Sequence, residues 1–140
     1  MIRTTGQLIA LHGELEDSVA EALRGLALLH PEAAGVLNGL ADENAQRREA
    51  VARVYREGVT DAFEVGYLSR PLDEDDYPVI ELEGPLGGAV EAALVNEETL
   101  TRFLRDAAED SNQLIPGLPQ AFQRLAKRME KRRAVLESLA

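Results

Sequence analysis

Two nine-residue stretches of this chain repeat each other: LADENAQRR, residues 40–48, and LAKRMEKRR, residues 125–133. Both begin with Leu-Ala and end with Arg-Arg. A second pair of similar stretches precedes them, because Glu16 stands seven residues before the sequence LRGLA and Glu97 stands seven residues before LRDAA. Paired features at this separation indicate an internal duplication, in which each half of the chain forms a helical hairpin.

Four helices are predicted from the periodicity of the apolar residues, over about 7–29, 31–57, 88–109 and 119–139. In each of them apolar side chains recur every three or four residues, which is typical of a helix in a bundle. A Thr-x-x-Gln sequence fits a capping box before the first helix, and a proline opens the second after a very tight turn. We therefore expect one all-α domain over residues 1–140, folded as an antiparallel four-helix bundle.

Residues 58–86 link the second and third helices and form the least regular part of the sequence. A link this long is uncommon inside one domain unless it passes from one end of the bundle to the other, so we expect a crossover. The second helix either ends near the start of this link or continues to about Tyr67. Residues 77–82 have the composition of a short extended segment. The acidic run at 73–76 lacks the alternating pattern of a calcium-binding loop, and we expect it to be a solvated loop.

Composition and charge exclude several classes of protein. The chain has no cysteine, which excludes disulfides and thiolate metal sites. Its formal net charge of −10 argues against a nucleic-acid partner. No apolar run approaches the roughly 18 residues of a membrane span, so no membrane partner is expected. The sequence begins without the apolar segment of a signal peptide, and we therefore expect a cytoplasmic protein.

Positive charge is concentrated in the last predicted helix. Residues 118–140 carry six Lys or Arg against two Glu, in a chain that is otherwise strongly acidic. This helix either packs its basic side chains against acidic neighbours in the bundle or presents them as a binding face.

Charged and polar residues occupy core-facing positions in all four predicted helices. Charged groups are costly in a core unless they are paired or metal-bound. Two glutamates facing two arginines at one level of the bundle would neutralise each other, and an arginine can donate to a carboxylate through two nitrogens while it stays protonated. We predict a buried ion-pair cluster at this level. Its predicted members are Glu16, Asn44, Arg47, Glu97, Met129 and Arg132.

Three alternatives apply to these positions. If the last helix is rotated by one residue, Glu130 and Arg133 face the core instead. The arginines could reach solvent from a core-facing backbone position, and Glu16 could lie on the surface. His12 stands one turn before Glu16, a spacing that suits a metal ion, although an interior histidine is more often hydrogen-bonded than metal-bound.

The predicted arrangement resembles the ferritin-like superfamily and, within it, the rubrerythrin-type domains. Bundles of this kind hold two metal ions with one glutamate from each of two helices and a Glu-x-x-His motif from each of the other two. In this chain the two lone glutamates match Glu16 and Glu97, whereas residues 44–47 read Asn-x-x-Arg and residues 129–132 read Met-x-x-Arg. The resemblance therefore implies a ferritin-like crossover bundle whose metal ligands are largely replaced.

Two alternative functions follow from this resemblance. The favoured one is a non-catalytic, metal-free bundle without a cofactor, in which ion pairs replace the di-iron site and the chain acts as an oligomerising or partner-binding module. We expect a homo-oligomer, with a dimer favoured. The alternative is an enzyme, a di-iron carboxylate oxidase or peroxidase, or an iron-binding protein with an atypical site. The ligands available to that alternative are Glu16, Glu97, Glu130, His12 and Glu43.

Overall fold

The computed structural model describes residues 1–59, 66–111 and 115–140, which form four long helices and a small two-stranded sheet. The expectation of a mostly helical chain is confirmed, but the sheet was not predicted. The helices are α1 (Thr5–Leu29), α2 (Ala34–Gly58), α3 (Leu86–Asp110) and α4 (Leu118–Glu137), and the strands are β1 (Ile2–Thr4) and β2 (Tyr67–Leu72).

The capping box predicted before α1 is present. The Thr4 side-chain oxygen accepts a hydrogen bond from the Gln7 amide at 3.2 Å, and the Gln7 side-chain oxygen accepts one from the Thr4 amide at 3.1 Å. These bonds satisfy amides that a helix start otherwise leaves unpaired, so α1 begins at Thr5, two residues before the predicted start. The tight turn after α1 is a short 3-10 segment, Pro31–Ala33, which moves the start of α2 to Ala34.

The predictions for the link between α2 and α3 need correction. The helix α2 ends at Gly58 and Tyr67 lies in β2, so the alternative in which α2 continues to Tyr67 is wrong. Residues 60–65 of the link lie outside the described residues. The strand β2 pairs antiparallel with β1, with Ile2 opposite Leu72. The acidic run contains a 3-10 turn, Glu74–Asp76, with exposed side chains, as a solvated loop would have.

Residues 77–82 form no strand, and the backbone of Ile80 pairs with a side chain instead of a partner strand. The Ile80 amide donates to the Asn96 side-chain oxygen and the Asn96 side-chain nitrogen donates to the Ile80 carbonyl, both at 2.9 Å. Asn96 belongs to α3 and is almost fully buried. One asparagine therefore fixes this part of the link to the bundle.

The helices pack as two hairpins that meet along a shared core. α1 packs mainly on α2 and α3 mainly on α4, while α2 also contacts α4 and α1 contacts α3. Gly58, at the end of α2, lies against Ile115 just before α4. Near the start of α3, the Gly84 carbonyl accepts a hydrogen bond of 2.8 Å from His30, which follows α1. None of the helices in the described residues is long and apolar enough to cross a membrane.

Candidate functional site

A fully buried carboxylate, that of Glu16 on α1, has hydrogen-bond donors from two helices. Arg47 Nε on α2 lies 3.2 Å from Glu16 Oε1 and 3.3 Å from Glu16 Oε2. Asn44 Nδ2, one turn before Arg47, donates to Oε1 at 2.7 Å, and His12 Nε2 lies 2.8 Å from Oε2. Helical spacing of three and four residues directs these donors at one point.

The second half of the chain contains a matching pair, Glu97 on α3 and Arg132 on α4. Arg132 Nε donates to Glu97 Oε2 at 2.9 Å and Arg132 Nη2 donates to Glu97 Oε1 at 2.8 Å. Both side chains are 1% exposed. This two-point geometry is the strongest form of an arginine–carboxylate pair.

Each arginine also reaches a backbone carbonyl in the other half of the chain. Arg47 Nη1 lies 3.4 Å from the Leu125 carbonyl oxygen on α4, and Arg132 Nη1 lies 3.0 Å from the Leu40 carbonyl oxygen on α2. Leu40 and Leu125 are the first residues of the two repeated stretches. The contacts are therefore related by the same equivalence as the sequences, and the two arginines together touch all four helices.

The remaining arginine nitrogens show where the two halves differ. Arg132 Nη2 donates to the Asn44 side-chain oxygen at 3.0 Å. The equivalent nitrogen, Arg47 Nη2, lies 3.1 Å from the sulfur of Met129, which occupies the position equivalent to Asn44. A thioether is a weak acceptor, so Arg47 is bonded less well than Arg132.

The electrostatic environment keeps the Glu16 carboxylate charged. Burial raises the pKa of Glu16, but the hydrogen bond from His12, the charge of Arg47 and the Asn44 hydrogen bond together outweigh burial and hold the pKa at about 2, below the usual 4.5. The pKa of Arg132 is raised above its usual value: burial lowers it, but the bonded Glu97 carboxylate has the larger combined effect. The cluster thus holds two carboxylates and two guanidinium groups, whose formal charges cancel.

His12 belongs to this layer of the core and has an aromatic environment. Its ring stacks on Phe103 with a centroid distance of 6.0 Å and meets the edge of Phe122 at 5.5 Å. It is almost fully buried and lies within hydrogen-bond distance of Glu16. In the second half, the residue four positions before Glu97 is Ala93, so this histidine has no counterpart there.

The structure decides between the alternatives for the register and for exposure. Glu130 and Arg133 are exposed while Met129 and Arg132 are buried, so the rotated register of the last helix is wrong. Arg47 does not reach solvent and Glu16 is not on the surface, because both are buried. The signal that identified the register was the repeated Leu-Ala start of the two stretches.

The residues brought together here do not fit a two-metal site. Arginine nitrogens carry hydrogens and a fixed positive charge, so they offer a cation no lone pair. Glu130 lies on the surface, and Glu43 is half exposed with its Oε1 3.7 Å from Arg132 Nη1. His12 and Glu16 supply two donors, and the described part of the chain contains no group of three or more His, Cys, Asp or Glu suited to a metal ion.

Sequence reasoning missed two parts of this cluster. The carbonyls of Leu40 and Leu125 could not be singled out, because every residue carries such an oxygen; only the identity of the two Leu-Ala pairs pointed to them. The aromatic rings around His12 come from two other helices, and no sequence pattern linked them.

Comparisons of the chain with protein-family models, curated proteins and solved structures gave no match.

Proposed function

We propose that this chain is a non-catalytic, metal-free bundle related to the ferritin-like superfamily and its rubrerythrin-type domains, in which two buried ion pairs take the place of two metal ions. One observation carries the proposal. Arg47 and Arg132 occupy equivalent positions, each is paired with a glutamate of its own half, and each reaches the equivalent backbone carbonyl of the other half.

The positions of the helix ends support a ferritin-like topology. Gly58, at the end of α2, lies beside Ile115, whereas the approach to α3 contacts His30 at the turn between α1 and α2. The two ends of the link therefore belong to opposite ends of α2, which at 25 residues is about 37 Å long. The link over residues 58–86 is long enough to span that distance. Such a crossover distinguishes a ferritin-like bundle from a simple up-and-down bundle.

The balance of charges in the core means that no metal ion is needed to offset the glutamate charges. In a di-metal bundle several carboxylates converge, and the bound cations offset their mutual repulsion. In this chain Arg47 and Arg132 supply the positive charge as part of the fold. The middle layer is therefore neutral and hydrogen-bonded without an ion, which suits a structural or partner-binding module better than a redox centre.

Elemental analysis of protein produced with added iron, manganese and zinc tests this proposal. We expect well below one metal ion per chain after dialysis, because Arg47 and Arg132 repel cations from the core. Retention of about two ions per chain, the content of a di-iron carboxylate site, would favour the oxidase or peroxidase alternative. Retention of one ion that is lost in a His12→Ala variant would likewise contradict a metal-free bundle.

We also propose that the chain forms a homodimer through the end of the bundle at the α1–α2 turn. Leu28 and Leu29 are 85% and 58% exposed, and Val36 lies just beyond the turn with 40% exposed. Neighbouring exposed apolar side chains often mark an association surface. Light scattering should give the mass of a dimer, and Leu28→Glu with Leu29→Glu should give a monomer.

The matched control for this test is Val95→Glu, because Val95 is also exposed but belongs to α3. It should leave the dimer intact. A wild-type chain that stays monomeric at high concentration would contradict the dimer while leaving the metal-free core untouched.

A further inference from the structure

A groove with a volume of about 600 Å³ lies between α2 and α4, beside the ion-pair cluster. This volume is in the range of about 300–1,000 Å³ that holds small organic molecules. Leu40, Leu125 and Val135 contribute apolar surface to its lining. The groove could therefore accept the hydrocarbon part of a ligand.

The same groove concentrates positive charge. Arg128 and Lys131 line it from α4 and are exposed, and the buried Arg47 and Arg132 line it as well. Among the lining residues in the part of the chain that the structure describes, Glu43 is the one carboxylate. Glu16 and Glu97 neutralise the two buried arginines, so the net positive charge of the groove comes from Arg128 and Lys131. In a chain of net charge −10, these two cations mark the groove as a place for a negatively charged group.

Of the two buried arginines, Arg47 has the weaker set of acceptors. Its contacts with Glu16 are long, at 3.2 and 3.3 Å, and both involve Nε. Its terminal nitrogens have a carbonyl at 3.4 Å and a thioether sulfur, whereas the terminal nitrogens of Arg132 have oxygen acceptors at 2.8–3.0 Å. Arg47 is 3% exposed, so few water molecules can serve as acceptors in place of these weak ones. An incoming carboxylate would supply the strong acceptor that these nitrogens lack.

We propose that the groove between α2 and α4 binds one amphipathic carboxylate per chain. The carboxylate group accepts hydrogen bonds from Arg47 and is attracted by Arg128 and Lys131. The hydrocarbon part packs against Leu40 and the other apolar lining residues. An inorganic phosphate suits the site less well, because it has no apolar part to pack against these walls.

Octanoate is a suitable probe, with 1-octanol as its uncharged counterpart. Calorimetric titration of the full chain in about 150 mM salt, where charges farther than about 8 Å are screened, should show one saturable octanoate site and no comparable octanol site. The double variant Arg128→Ala, Lys131→Ala should weaken octanoate binding by about 5- to 30-fold, since exposed charge contacts contribute up to about 1 kcal/mol each.

Glu43 provides a test that misfolding cannot imitate. Its carboxylate competes with the ligand for the same cations, because Oε1 lies 3.7 Å from Arg132 Nη1. The Glu43→Gln variant should therefore bind octanoate up to about fivefold more tightly. Lys127→Ala is the matched control, since Lys127 carries the same charge on the same helix but does not line the groove, and its affinity should equal that of the wild type.

Four results would overturn the proposal. These are the absence of saturable octanoate binding, equal binding of octanol, displacement of octanoate by an equal concentration of inorganic phosphate, and a loss of affinity in Lys127→Ala as large as in the groove variant. The proposed metal-free bundle does not depend on any of these outcomes, because it concerns the core beneath the groove.

Discussion

Arg132 and Arg133 are consecutive residues of α4 in opposite environments. Arg132 is buried against Glu97, whereas Arg133 lies 3.5 Å from Glu98 with both side chains about half exposed. Removing one partner of a buried pair strands the other charge, so Arg132→Ala should lower the free energy of unfolding by about 3–5 kcal/mol. The control, Arg133→Ala, should lower it by no more than about 1 kcal/mol.

Chemical denaturation of both arginine variants provides the measurement. Equal, small losses of stability would show that Arg132 is solvated and that the buried cluster does not exist. Replacing Glu97 and Arg132 together by apolar residues should be less harmful than Arg132→Ala alone, because no unpaired charge is left in the core.

The pH dependence of stability reports on Glu16. Its pKa is about 2 in the folded chain against 4.5 as the reference value, so the unfolded state binds this proton more readily. The charged carboxylate therefore contributes stability that is fully present above pH 4.5 and is lost as the pH falls towards 2. The shift corresponds to about 3 kcal/mol.

The matched variant isolates Glu16 from the other carboxylates. Glu16→Gln keeps the size and one acceptor oxygen but does not titrate. The difference in unfolding free energy between wild type and variant should shrink as the pH falls from 6 to about 2.5. A difference that stays constant over this range would mean that Arg47 and His12 do not hold the carboxylate in its charged form.

The sequence allowed us to predict which charged residues lie in the cluster. It did not allow us to predict all the atoms that each of them contacts. A duplicated pattern identified which glutamates and arginines share a layer. The acceptors contributed by Leu40 and Leu125 depend on how close α2 and α4 approach, which periodicity within one helix does not report.

The elements differ in how readily the sequence revealed them. Long periodic helices were predicted to within a few residues, because their apolar stripes and caps are local signals. The two strands were missed, since β1 has three residues and β2 contains Pro71, which weakens a strand pattern. Their pairing joins residues far apart in the chain, so no local pattern encodes it.

Asn96 offers a test of how the link is attached to α3. Its side chain makes two hydrogen bonds with the Ile80 backbone. In Asn96→Ala the Ile80 amide should lose most of its protection against hydrogen exchange, and the free energy of unfolding should fall by about 1–3 kcal/mol. Asn38→Ala, at an exposed site on α2, is the control and should change neither quantity. An unchanged Ile80 amide in Asn96→Ala would contradict this account of the link.

The two halves of the whole molecule repeat the same core contacts imperfectly. The two halves share the glutamate, the arginine and the leucine carbonyl, but the first half adds His12 and the second has Met129 where the first has Asn44. Because each arginine contacts both halves, the hairpins should unfold together rather than as separate units. We propose that this neutral ion-pair layer lies where a ferritin-like bundle would hold its metals.

A variant that carries both metal motifs, called the rebuilt variant, tests this proposal. The substitutions Asn44→Glu, Arg47→His, Met129→Glu and Arg132→His create Glu-x-x-His on α2 and α4. Four carboxylates would then converge without the two permanently charged arginines, so the variant should be less stable than the wild type in the absence of metal.

The chain offers a matched control one residue further round each helix. Ala45→Glu with Arg48→His, and Arg133→His beside the native Glu130, create the same two motifs on exposed faces. This control has the same ligand types and spacing but cannot bring them together in the core.

The decisive measurement is the thermal unfolding of the rebuilt variant, its surface control and the wild type, with and without Zn²⁺. We expect Zn²⁺ to raise the unfolding temperature of the rebuilt variant alone. Zinc binding should stabilise its folded state by about 2.7 kcal/mol when free zinc is a hundredfold above the dissociation constant. An unfolding temperature of the rebuilt variant that is the same with and without Zn²⁺ would mean that these four positions do not converge on a metal site, and it would contradict the proposed position of the ion-pair layer.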